Sequence, residues 1–252
     1  MSKKLTNIVV SIFGILLLPI IWFVLHYWVG VGERYLPDPV RVYQAIFDID
    51  PNIWIQTLYT LGRFVIGSFL GIVVGIAIGL LIYRSKTIYR LLSPSIQALR
   101  ATPAVAVIPF FLLWFGFSEI GKYLLVVFGI GINLAIATCQ ILRTTPERYK
   151  VLFHSFALEP RKQIMNFALP LVMEEILPTI RFSLGTAIGL VIVAEYLGAQ
   201  IGLGHLIEVA RQTFSLHVVL LSDILLGIII VVVDLLLVRL WKKIVFWNKE
   251  TK

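Results

Sequence analysis

The chain has 252 residues, of which 59% are hydrophobic and 14% charged, with a formal net charge of +8. An ordinary soluble domain carries about 25% charged residues. This composition, with a mean hydropathy of +0.92, excludes a water-soluble globular domain and places the chain in the membrane class. Nucleic-acid binding does not follow from the basic excess, because Lys and Arg collect in the short loops of membrane proteins and set orientation there.

Crossing about 30 Å of hydrocarbon takes about 20 apolar residues in a helix. Lys3 and Lys4 precede an apolar run over 8–29, longer than the about 7–15 residues of a signal-peptide core, which predicts an uncleaved first span. Residues 39–48 place Val40, Tyr43, Ile46 and Phe47 at helical spacing, predicting a short amphipathic helix at the outer surface. The run 58–83 is the second predicted span. It carries Gly67, Gly71, Gly75 and Gly79, each four residues apart and so on one helix face. That face is a groove for backbone-to-backbone helix packing, equally compatible with a helix of the same bundle or a contact between copies.

The run 97–115 is a third span interrupted by Pro103 and Pro109, which bend a span when neighbouring helices satisfy the freed carbonyls. The run 123–142 is a fourth. It holds the single cysteine, Cys139, and the polar Asn133 and Gln140, seven residues apart and on one face. Runs over 182–199 and 218–241 complete a predicted set of six.

Residues 143–178 form a charged, proline-punctuated insert with Arg143, Glu147, Arg148, Lys150, Glu159, Arg161 and Lys162, ending in Leu169-Pro170 and Leu177-Pro178. Leu152, Phe153, Phe156 and Ala157 make one apolar stripe on a predicted helix over 146–158, and Pro160 suits the first turn of the next helix. The stripe is read as a docking peg for a cytosolic partner, with a helix resting on lipid headgroups as the alternative. The distribution of Lys and Arg makes both termini and this insert cytoplasmic.

Ionisable residues within spans are default functional candidates. Glu195, near the outer end of span five, and Asp223 in span six are therefore pathway candidates, as are Asn133 and Gln140. Asp234 lies near Arg239 and Lys242, which are its expected partners. The stretch from Gly116 to Lys122 starts like a phosphate-binding loop. It continues with Tyr123 instead of Ser or Thr, follows no predicted strand and falls on the outer face. His26, His154, His205 and His217 have no metal-ligand spacing, and the adjacent Glu174 and Glu175 face different sides of a helix. No enzyme active site, metal site or nucleotide site is expected.

Several blocks resemble the permease subunits of bacterial ABC importers, in the branch serving nitrate, bicarbonate, taurine and alkanesulfonates, with relatives associated with vitamin precursors. They are Leu36-Pro37-Asp38-Pro39, Thr60-Leu61-Gly62-Arg63 before the glycine ladder, Arg100-Ala101-Thr102-Pro103 with Pro109, and Trp114-Phe115-Gly116. The strongest is Leu169-Pro170, Ile176-Leu177-Pro178, Arg181, Gly185, Ala194-Glu195 and Gly202-Leu203-Gly204.

The resemblance implies an all-α polytopic bundle in the bacterial inner membrane, about six transmembrane helices in one domain over 1–252. It implies a homodimer, two cytosolic ATPase subunits that bind ATP and Mg, and an extracytoplasmic solute-binding protein. The insert would supply the coupling helix, over Leu152, Phe153, His154, Ser155, Phe156, Ala157 and Leu158. This chain departs from the family's Glu-Ala-Ala and Gly there, with Val151-Leu152-Phe153 and Ala157 in their places. The implied function is inward translocation of a small solute by alternating access. The alternative is a gradient-driven carrier or channel using Glu195 and Asp223.

Overall fold

The computed structural model describes residues 3–49, 52–144 and 160–247. Among them there is no strand; the fold is all-α. In chain order the helices are α1 (Lys3–Tyr27), α2 (Pro39–Asp48), α3 (Ile53–Arg84), α4 (Lys86–Ala101), α5 (Ile108–Phe115) and α6 (Glu119–Thr144). After the undescribed 145–159 come α7 (Pro160–Gln163), a π turn over Ile164–Ala168, α8 (Leu169–Glu175), α9 (Leu177–Gly198), α10 (Leu203–Gln212) and α11 (Leu216–Ile244).

Helix starts follow local chemistry. Asp38 caps α2 by accepting from Val40 N–H at 2.9 Å, with Pro39 in the first turn. Asn52 caps α3 by accepting from Trp54 N–H at 2.8 Å. Ser85 breaks the chain between α3 and α4 and accepts from Ile88 N–H at 3.3 Å. In each case a short polar side chain satisfies an N–H that the first turn leaves without a helical partner.

α3 and α6 form the spine of the bundle. Each ladder glycine on α3 lies against α6, and the pairs ascend together: Gly67 on Val126, Gly71 on Ile130, Gly75 on Gly131 and Leu134, Gly79 on Ala135 and Thr138. The two helices therefore run parallel. A Cβ on Gly75 would stand 2.7 Å from the Gly131 carbonyl oxygen, and one on Gly79 would stand 2.6 Å from that of Ala135. The groove is filled by a helix of the same chain, so it is not open to a second copy.

Two parallel helices joined by a connection require that connection to return from the Arg84 end to the Glu119 end. α4 and α5 make the return. The run 97–115 is sharply broken at its first proline: the helix stops at Thr102-Pro103, passes through a 3-10 turn (Ala104–Val107) and resumes 95° away as α5. Pro103 cannot donate a helical hydrogen bond and biases Thr102 to extended backbone, here φ −77°, ψ 125°.

α9 runs antiparallel to this pair, because Glu195 near its end meets Thr60 and Arg63 near the start of α3. α11 returns alongside, with Arg181 of α9 on Asp234 and Trp241 Nε1 donating to Met173 O at 3.0 Å. Buried Ile130, Leu134, Ile180, Ala187 and Leu190 fill the space between α6 and α9. The end of α1 is tied to the segment that follows it: Trp22 Nε1 donates to Pro37 O at 2.9 Å, and Tyr27 donates to Asp38 at 2.6 Å. Among the described residues four helices, α3, α6, α9 and α11, are each long and apolar enough to cross a membrane, and the α4–α5 pair, counted as one broken span, would make a fifth.

Candidate functional site

At the end of the bundle formed by the starts of α3 and α6 and the end of α9 lies a charge cluster, buried at Glu195, Arg63 and Lys122 and half-exposed at Glu119. Glu195 is wholly buried. Its carboxylate accepts from Arg63 Nη1 at 2.7 Å, from Thr60 Oγ1 at 2.8 and 3.0 Å, and from Gly204 N–H at 2.9 Å. Arg63 also donates to Ile201 O at 2.6 Å and, through Nε and Nη2, to both oxygens of Glu119 at 2.7 and 2.6 Å. Lys122 donates to Glu119 at 2.8 Å. Two guanidinium or ammonium groups balance two carboxylates, so the cluster is neutral as a unit, which is what burial of charge in a low-dielectric medium requires.

The cluster fixes a turn of backbone. Gly202 N–H donates to Gln56 Oε1 at 2.6 Å and Leu203 N–H to Thr60 Oγ1 at 2.8 Å. Gly202 has φ 138°, open to glycine, and a Cβ there would stand 2.5 Å from the Glu195 carboxyl carbon. The α9–α10 turn is thereby fastened onto α3. Glu195 has no free acceptor face toward a cavity in this arrangement.

Above this end sits a cavity of about 710 Å³ lined by Glu33, Arg34, Asp38, Arg41 and the Phe214–His217 turn. Phe214 holds φ 55° and is 89% exposed. The Tyr27 hydroxyl, followed by Val40 N–H, holds the Asp38 carboxyl below its ordinary range. Arg211, with Tyr196 and Gln212, holds Glu208 at about 2.

The polar residues of α6 fall into separate recesses. Asn133 lines one of about 150 Å³ with Arg100, Thr102, Pro103, Gly129 and Thr186. Gln140 lines another, of about 40 Å³, with Tyr89, Ser93, Gln97 and Cys139. Asp223 is exposed on α11 and has no ion-pair partner among the described residues. Asp234 pairs with Arg181, Nε and Nη2 each donating at 2.7 Å, instead of with the expected Arg239 or Lys242. Leu152, Phe153, His154, Ser155, Phe156, Ala157 and Leu158, with the predicted helix over 146–158, lie outside the described residues. No group of three metal-ligating side chains occurs among the described residues.

Sequence reasoning passed over Arg63, Glu119, Lys122 and Arg100 as intramembrane charges. The signal was present for Arg63 and Arg100, both within predicted spans and subject to the rule that flagged Glu195.

A family model described as the binding-protein-dependent transport system inner membrane component matches residues 67–245. The chain is 31% identical over 233 residues to the putative aliphatic sulfonates transport permease protein SsuC of Bacillus subtilis (strain 168), covering 91% of this chain and 84% of that protein. It is 25% identical to the taurine transport system permease protein TauC of Escherichia coli (strain K12), over 100% of this chain and 93% of that one. It is 26% identical to the nitrate import permease protein NrtB of Synechocystis sp. (strain ATCC 27184 / PCC 6803 / Kazusa), over 88% and 83%. Among solved structures, a chain of the inward-facing MetNI methionine ABC transporter superposes with a TM-score of 0.64 at 19% identity, covering 77% of this chain and 98% of that chain, a likeness of fold. The chain belongs to the family of binding-protein-dependent transport system inner membrane components.

Proposed function

We propose that this chain is the membrane-spanning subunit of an ATP-driven importer of a small solute. The family match across 67–245 carries the reading. The relatives' names, for sulfonates, taurine and nitrate, support a small oxyanion or zwitterion as cargo. Two copies would enclose the path, with two cytosolic ATPase subunits supplying ATP and Mg and a binding protein delivering solute. The chain itself needs no cofactor.

The basic end, with Arg84, Lys86, Arg90, Arg143, Lys242 and Lys243, is assigned to the cytoplasm. The N-terminal run makes the sixth span and puts both termini inside. The Glu195 end then faces outward, and its 710 Å³ concavity with the projecting Phe214 is where the binding protein would sit. The insert carrying Leu152 to Leu158 is assigned to the ATPase groove. Its motion passes to α9 through Pro178 and Arg181, and to α11 through Asp234 and Trp241. ATP-driven closure of the ATPases favours one orientation of α9 and α11, and solute release resets it, so two conformations with different partner affinities give alternating access. The path is assigned to the Asn133 face of α6, where the elbow of α4–α5 meets α9. Glu195 is assigned a fastening role at the path's outer wall.

The test is purification of the chain in mild detergent from its own cells with identification of co-purifying proteins. An equimolar Walker-motif ATPase is the expected result. A stable, ordered chain without one would overturn the reading.

A further inference from the structure

Arg63, Glu119, Lys122, Glu195, Arg181 and Asp234 each have a charged partner. Arg100 has no ion-pair or hydrogen-bond partner among the described side chains and is exposed in the single chain, yet it lies far from either end of the bundle. It shares its recess with Asn133, which is fourteen residues into the 26-residue α6 and so about 21 Å along a helix of about 39 Å. Thr186 lies nine residues into the 22-residue α9, also near its middle. Two helices of opposite direction therefore place the recess at mid-depth.

An uncompensated guanidinium at that depth is costly unless water or a counter-charge reaches it. No Asp or Glu lines the recess. Its polar lining comes from Arg100, Asn133, Thr102 and Thr186, set among apolar residues such as Leu99, Phe128 and Ile132. Thr102 sits at the helix break, and its hydroxyl bonds back to Ala98 O at 3.2 Å. The Asn133 amide reaches Gly129 O only at 3.5 Å, leaving its donors weakly used. A fork of N–H donors, an amide and hydroxyls around about 150 Å³ is a set that matches a planar or tetrahedral oxyanion. Liquid water occupies about 30 Å³ per molecule, so the space takes a nitrate-sized or sulfonate-sized head group.

We propose that Arg100, with Thr102, Asn133 and Thr186, forms an oxyanion-binding station at the midpoint of the translocation path, at the elbow between α4 and α5. The proposal rests on the importer reading and names a residue set that selects charge within the membrane subunit itself.

Cysteine accessibility tests it in the full transporter complex in membrane vesicles. Cys139→Ala removes the native thiol, and Asn133→Cys or, separately, Thr186→Cys provides the reporter. The probes are the anionic methanethiosulfonate ethylsulfonate and its cationic trimethylammonium counterpart. The expected result is faster modification by the anionic reagent, slowed by sodium nitrate or sodium methanesulfonate. The anionic preference should fall roughly tenfold in Arg100→Gln and persist in Arg100→Lys, as a local focusing charge dictates. Lack of reaction at both positions, or a reagent preference unchanged by Arg100→Gln, would overturn it. Co-purification of the ATPase reports separately on the importer reading, so a chain that fails that test while showing Arg100-dependent reactivity loses the importer and keeps the anion station.

Discussion

Arg63 and Glu195 are 132 residues apart in the chain, and their side chains meet at 2.7 Å with the carboxylate wholly buried. The contact ties the second predicted span to the fifth and carries the α9–α10 turn with it. Removing Arg63 leaves Glu195 as an uncompensated buried charge, whereas removing Glu195 leaves Arg63 still paired with Glu119.

Arg63→Ala should therefore destabilise the folded chain by about 3–5 kcal/mol. Thermal unfolding in detergent reads this directly. Replacing both residues by apolar ones, Arg63→Met with Glu195→Leu, should recover part of the loss, since no lone charge remains on that side. A wild-type midpoint for Arg63→Ala would show that the cluster does not hold the turn.

The glycine seam makes a graded prediction. Gly75→Ala and Gly79→Ala each place a methyl against an α6 carbonyl oxygen at 2.6–2.7 Å, and overpacking of this kind costs about 1–3 kcal/mol. Gly62→Ala lies on the same helix with nothing within 4 Å and should be neutral or slightly stabilising. Equal midpoints for all three variants would contradict the packing.

Arg181 and Asp234 connect α9 to α11 at the end assigned to the cytoplasm. Half of the Arg181 side chain is exposed, so its contribution is to geometry more than to stability. Asp234→Arg should abolish ATP-dependent uptake while leaving expression intact, and the exchange Arg181→Asp with Asp234→Arg should restore part of it. Uptake that survives the single reversal would remove this pair from the coupling route.

Phe153→Asp together with Phe156→Asp should release the ATPase during purification or leave its ATP hydrolysis uncoupled from uptake. Full ATP-dependent uptake by the double variant would move the docking surface elsewhere on the cytoplasmic face.

Local chemistry was readable in the sequence. The spacing of Val40, Tyr43, Ile46 and Phe47 marks a helix over the range that α2 occupies, Pro39–Asp48. The four long apolar runs without internal proline became α3, α6, α9 and α11. What the sequence did not show depends on which elements become neighbours. Asp234 has Arg239 five residues away, but its partner is Arg181, 53 residues away, because α9 and α11 are antiparallel there. The occupant of the glycine groove was equally open, and only the parallel course of α3 and α6 decides it. The same course explains why 97–115 breaks: Pro103 permits the elbow, and the need to return across the bundle uses it.

At Gly75 and Gly131 the seam brings backbone against backbone, with the Ile130 side chain seated on Gly71. So close an approach leaves little room for sliding and favours movement of α3 and α6 as one unit. The elbow is strapped to that unit at both ends, by Ser85 and by the short link from Phe115 to Glu119. Its helical hydrogen bonding is interrupted at Thr102-Pro103, next to Arg100. Flexing at that break would carry Arg100 with it, and the strength of that charge's hold on a passing solute would change with every stroke.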